Sequence, residues 1–101
     1  MCIRDRVSLS TVGAAVEALV RVVAAEIAPR RLNVVSPGLI DTPIVPVQGP
    51  ERAELYQKMT AGNLIPRAGT ADEVADAIVF MVENEFVTGT TIDVDGGWLL
   101  S

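Results

Sequence analysis

At 101 residues, half of them hydrophobic, the chain is one domain or part of one, with enough apolar side chains to want a core. Its formal net charge of −5 argues against nucleic acid, since phosphate contacts need clustered Lys and Arg. It has no histidine, so the commonest metal ligand and the usual general base near neutral pH are both missing. Cys2 is the only cysteine, which forbids an intramolecular disulfide and makes a cytoplasmic setting the expectation. No apolar run approaches the roughly 18 residues of a membrane span. The basic residues of Met1–Arg6 are followed by no signal-peptide core.

Ser10 or Thr11 can cap a helix that runs to Ala28, before Pro29. Val16, Leu19, Val20, Val23 and Ile27 recur at helical spacing, and Val12, Ala15 and Val22 add apolar surface on other sides. Only Glu17, Arg21 and Glu26 are clearly polar, with Glu17 and Arg21 four apart in the favourable order. A helix this apolar needs burial on more than one face.

Leu32–Val35 reads as a short buried strand that stops at Ser36-Pro37-Gly38 and turns toward Asp41-Thr42. In an open parallel sheet, ligands bind just outside the carboxyl ends of strands. Pro43 to Gly49 is irregular. Glu51–Thr60 reads as a short helix with Leu55, Tyr56 and Met59 on one side, ended by Ala61-Gly-Asn63, where glycine and asparagine tolerate a left-handed residue. Thr70 and Glu73 form a Thr-x-x-Glu capping box for a helix from Ala71 to Glu83. Its apolar stripe is Val74, Ala75, Ile78, Met81 and Val82, while Phe80 falls on the polar side, which hints at a contact outside the domain. Thr90–Val94 alternates as a last strand before an Asp95-Gly-Gly97 turn. The two strands are expected to be parallel neighbours joined by a right-handed crossover.

Four features in this order, Ala14-Ala-Val-Glu-Ala-Leu19, Asn33-Val-Val-Ser-Pro-Gly38 with Thr42, Val87-Thr-Gly-Thr and Val94-Asp-Gly-Gly97, resemble the carboxyl-terminal part of the short-chain dehydrogenases/reductases. The resemblance covers Gly13 to Gly97. It implies an α/β fold: the C-terminal portion of a Rossmann-like doubly wound parallel sheet, in the order helix, strand, helical crossover, helix, strand. Residues 7–101 are then the C-terminal part of an NAD(P)-binding domain. Met1–Arg6 match nothing in the family pattern and are read as a non-native leader.

The resemblance also implies a parent that interconverts carbonyls and alcohols of small molecules by hydride transfer, with NAD or NADP as cofactor. In the family a tyrosine, with a lysine four residues on, handles the proton. The alignment puts the tyrosine at Leu9 and the lysine at Gly13, and neither leucine nor glycine moves a proton. Tyr56 and Lys58, the only residues of their types, lie two apart on an expected helix and point roughly 200° from each other. No catalytic residue is assigned, and the glycines nowhere make a phosphate-binding cluster. Ser36 has no histidine to activate it.

What the resemblance carries over is the nicotinamide end of the cofactor site: Pro37, Gly38, Ile40 and Thr42, with backbone near Ile40 on the carboxamide and the Thr42 hydroxyl on polar cofactor groups. Asp41 is given no role, and Arg67 is expected in a structural ion pair. The Pro43–Thr60 excursion corresponds to the family's substrate loop, and the Ser10–Ala28 helix to a subunit interface, so a homo-oligomer is expected. The chain alone is expected to be inactive. The alternative is a catalytically degenerate member serving as a structural or interaction subunit, and a third reading is a freestanding binding module.

Overall fold

The computed structural model describes the backbone of residues 3–100 and the side chains of residues 12–100. The expectations placed on Met1 and Cys2, and on the side chains of Leu9, Ser10 and Thr11, fall outside those residues. Five elements follow in chain order: α1 (Ile3–Ile27), β1 (Val34–Pro37), α2 (Pro50–Thr60), α3 (Ala71–Glu83) and β2 (Thr91–Val94). A 3-10 turn at Trp98–Leu100, not anticipated, follows β2. None of the helices is long and apolar enough to cross a membrane among the described residues.

The described residues group into two compact units. One contains the chain up to Val34 together with Asn84–Thr91. Its helix α1 begins at Ile3, well before the caps expected at Ser10 or Thr11, and ends at Ile27, one residue before the expected Ala28. The Ala28–Pro29 peptide is cis, and Arg30 N–H donates to the Ile27 carbonyl in the exit turn. The inner side of α1 is Val20, Val23, Ala24 and Ile27, and only Ala24 is fully buried. Gly89 packs here: a Cβ built on it would lie 3.7 Å from the Ala24 methyl. Val16 and Leu19, read as part of the inward stripe, are exposed instead. Three residues of the stripe, Val20, Val23 and Ile27, do turn inward together with Ala24, which the apolar periodicity passed over because alanine is small.

Asn33 joins the two segments of this unit. Its amide nitrogen donates to the Val87 carbonyl at 3.0 Å and its oxygen accepts from Thr90 N–H at 3.1 Å. The Arg31 guanidinium also donates to the Val87 carbonyl, and Thr88 Oγ1 accepts from Leu32 N–H. These side-chain bonds take the place of ladder bonds, which is why β1 starts at Val34 and not at Leu32, and why β2 starts at Thr91 and not at Thr90.

The strands pair side by side in a two-stranded sheet. Val34 N–H donates to the Thr90 carbonyl and Gly38 N–H to the Val94 carbonyl. Partners that advance in the same sense on both strands define a parallel pair. Ser36 and Pro37, expected in the turn, belong to β1. The proline is tolerated because ladder donors alternate along a strand: Val34 and Gly38 face β2, so the missing N–H of Pro37 would have pointed away from it.

The other unit contains Val35–Glu83 and the described residues from Ile92. Helix α2 starts at Pro50, in the first helical turn where its lacking N–H costs nothing, after Gly49 at φ 71°. Its inner face is Arg52, Tyr56 and Thr60, spaced by one turn. Met59, expected beside Tyr56, is exposed, and Thr60, not expected inside, is the most buried residue described. Thr60 tolerates this because its hydroxyl donates to the Tyr56 carbonyl at 2.7 Å. The left-handed residue expected at Gly62 or Asn63 is absent: Ala61 closes the helix in right-handed geometry and Asn63 N–H donates to the Thr60 carbonyl.

Helix α3 has the expected bounds. Its inward line is Val74, Ala77 and Met81, whereas Ala75, Ile78 and Val82 of the expected stripe are exposed. Phe80 is exposed, in keeping with its place on the polar side.

Candidate functional site

The carboxyl end of β1 leads directly into the four residues singled out for cofactor contact. Pro37 is the last strand residue and is exposed. Gly38 follows, packed against the other strand's exit: a Cβ there would lie 2.7 Å from Asp95 Cα and 2.8 Å from Asp95 Cβ. Its φ is not positive. Close approach, and not a special dihedral, is therefore what requires glycine at this turn.

Ile40 forms an isolated parallel bridge with Gly69. The bonds are made by its neighbours: Gly69 N–H donates to the Leu39 carbonyl, and Asp41 N–H donates to the Gly69 carbonyl. In this pattern the N–H and C=O of Ile40 itself point away from Gly69. One donor and one acceptor, a few ångströms apart on extended backbone, are what a primary carboxamide can pair with.

Thr42 lines a cavity of about 260 Å³ with Asp41, Pro43, Gln48 and Arg52. Its carbonyl accepts from Arg52, and its hydroxyl has no hydrogen-bond partner among the described residues. A second cavity of about 310 Å³ lies beside Leu39, Ile65, Arg67, Gly69 and Glu73, and the β2 exit at Asp93–Gly97. Pro37, Gly38 and Ile40 line neither of these two cavities.

Two groups around the turn were not legible as site residues. Asp41 is one, since its Oδ1 forms an ion pair with Arg52 at 2.6 Å. Arg52 is the other, at the start of α2, its guanidinium 5.0 Å from the Tyr56 ring centroid. An arginine eleven residues after an aspartate carries no local signal. Only the return of the chain through Pro43–Gly49 brings them together.

Arg67 makes the expected ion pair, with Glu73 at 2.8 Å and a second bond at 2.9 Å. Glu73 also closes the capping box: its Oε1 accepts from Thr70 N–H, and its own N–H donates to Thr70 Oγ1. The hydrogen bond from Arg67, then that from Thr70 N–H, lowers the Glu73 carboxyl to about 2. The same pairing raises the Arg67 guanidinium further above its ordinary range.

Among the described residues no proton-transfer pair is brought together. Tyr56 is buried with its hydroxyl unpartnered among the described residues, and Lys58 is exposed. Gly96 and Gly97 adopt positive φ of 65° and 81° and pack against Ile65 and Leu64, which is terminal turn geometry.

A parallel β-α-β arrangement of this kind defines an α/β protein with the topology of a doubly wound sheet. The family model described as enoyl-(acyl carrier protein) reductase matches residues 3–99. The chain is 37% identical to dehydrogenase/reductase SDR family member 6 of Danio rerio, over 95% of the chain and 42% of that protein. It is 39% identical to glucose 1-dehydrogenase of Gluconobacter oxydans, over 85% of the chain and 34% of that protein. A solved structure of a small-chain dehydrogenase in complex with NADPH superposes with a TM-score of 0.75 at 40% identity, covering 87% of this chain and 41% of that one. The chain belongs to the short-chain dehydrogenase/reductase family. It spans about a third to two-fifths of the length of these relatives.

Proposed function

We propose that these residues form the carboxyl-side part of an NAD(P)-dependent oxidoreductase that interconverts carbonyl and alcohol groups of a small molecule by hydride transfer. The observation that carries this reading is the N–H and C=O of Ile40, which make no hydrogen bond among the described residues and are held by the Gly69 bridge just past β1. Pro37 and Gly38 shape the approach, Ile40 pairs with the nicotinamide carboxamide, and the Thr42 hydroxyl meets a polar cofactor group. The cofactor, when bound, supplies the hydride. This chain's part is to orient the nicotinamide end and to wall the site with the Asp41–Gly49 loop.

The chain alone is inactive in this reading, because Leu9 and Gly13 stand where the family's proton-transfer pair would be and no glycine cluster cradles phosphates. The lone cysteine suits a cytoplasmic setting. The apolar outer side of α1 serves a homo-oligomer.

Three measurements test the proposal. NADH and NADPH oxidation with a panel of ketones is expected to show no saturable turnover for the chain alone. Calorimetric titration is expected to give binding no tighter than roughly millimolar. A chimera with residues 13–97 in place of the matching segment of the Danio rerio relative is expected to bind NADPH or NADH with a saturable isotherm, weakened by Thr42→Val. Turnover by the chain alone overturns its inactivity, and a correctly folded chimera that binds neither cofactor overturns the site.

A further inference from the structure

Arginine carries five N–H donors in a rigid fork. In Arg52 all five are used within its own loop. Nε–H donates to Asp41 Oδ1 at 3.0 Å, and Nη2 donates to the same oxygen at 2.6 Å and to the Thr42 carbonyl at 2.6 Å. Nη1 donates to the carbonyls of Val45 at 2.8 Å and Val47 at 2.9 Å. The guanidinium side chain is only 16% exposed and lies over the buried Tyr56 ring one helical turn on. At 5.0 Å this is within cation–π range. A cation so fully engaged has no donor left for a substrate carboxylate or phosphate, although it borders the cavity beside Thr42.

We infer that Arg52 is a positioning residue: a clasp that folds the Asp41–Val47 loop into one conformation and thereby sets Thr42 at the rim of the candidate site. The inference rests on the proposed function only for what Thr42 would touch. The clasp itself is a property of the free chain. The loop between Asp41 and α2 contains almost no backbone bonding of its own, apart from Val45 N–H to the Thr42 carbonyl at 3.3 Å. Its order therefore depends on one side chain reached from the first turn of α2. Lysine would not replace it, because an ammonium has three donors and no planar fork to span four acceptors.

The test is ¹⁵N relaxation on the full chain without cofactor, read at Thr42, Ile44, Val45 and Val47, with the α3 amides as internal reference. The unsubstituted chain is expected to give order parameters near ~0.85 in the loop, and Arg52→Met to drop them below ~0.6 while α3 is unchanged. Asp41→Asn is expected to loosen Thr42 more than Val47, because the Nη1 bonds remain. Arg52→Lys is expected not to restore order, and it decides the matter in the same terms if Arg52→Met fails to fold. A loop already below ~0.6 in the unsubstituted chain, unchanged order in Arg52→Met, or full rescue by lysine overturns the inference. Because no cofactor is present, the outcome is separate from the cofactor titrations.

Discussion

Gly38 and Asp95 approach so closely that a Cβ on the glycine would lie 2.7 Å from the aspartate's Cα. This contact locks the exits of the two parallel strands together, just before the turn that carries Ile40 and Thr42. The obstructing atom is backbone, so no side-chain rotation relieves it.

Gly38→Ala is therefore expected to destabilise the chain by about 1–3 kcal/mol, the usual range for overpacking a site that cannot yield. Gly62 is the control. It has nothing within 4 Å of a built Cβ and no positive φ, so Gly62→Ala is expected to be neutral or to stabilise by up to about 1 kcal/mol. Urea denaturation of both variants checks the difference. Equal midpoints for the two would refute the role given to Gly38.

The Arg67–Glu73–Thr70 group makes a pH prediction. The Glu73 carboxyl is lowered to about 2 in the folded chain by Arg67 first and by Thr70 N–H next. A depressed carboxyl contributes stability above its unfolded value and loses it as pH falls through the folded value. The contribution is thus intact near neutrality and fades between the ordinary carboxylate range and about 2. Glu73→Gln is expected to flatten that part of the acid denaturation curve. Thr70→Ala, which removes the other half of the box, is expected to cost about 1 kcal/mol at neutral pH, seen in the thermal midpoint.

Asn33 gives a third prediction. Its amide serves Val87 and Thr90 at once, so Asn33→Leu leaves the Thr90 N–H without its partner and the Val87 carbonyl with the longer bond from Arg31 alone. A loss of about 1–3 kcal/mol is expected. Asn33→Asp should recover part of it, because a carboxylate still accepts from Thr90 N–H but has nothing to donate to Val87. If aspartate were worse than leucine, the acceptor role would be wrong.

Helix α1 supplies a fourth. Val12, Leu19 and Val22 are each about three-fifths exposed, at 63%, 61% and 59%. Apolar side chains clustered in this way mark an interaction surface. In sedimentation the chain is expected to associate, and Leu19→Lys with Val22→Glu is expected to shift it toward monomer with unchanged helicity. A chain that is already monomeric at tens of micromolar would remove the basis for an α1 interface.

The features readable in the residues alone were those with a local cause. The α3 bounds followed from Thr70, Glu73 and the apolar line behind them, because a capping box is made by residues three apart. The strand order and the family followed from short motifs in sequence order. Three-dimensional packing decided the rest. The inner face of α2 is Arg52, Tyr56 and Thr60, with Leu55 half-buried and Met59 exposed, because an arginine with four acceptors and a threonine bonded to its own helix can both turn inward. Val34 begins β1 because the Asn33 side chain takes the preceding ladder position from 54 and 57 residues away. Gly38 is glycine on account of Asp95, and Asp41 belongs to a clasp through Arg52. Each of these depends on a contact between segments distant in the chain, and periodicity within a segment carries no information about its partner.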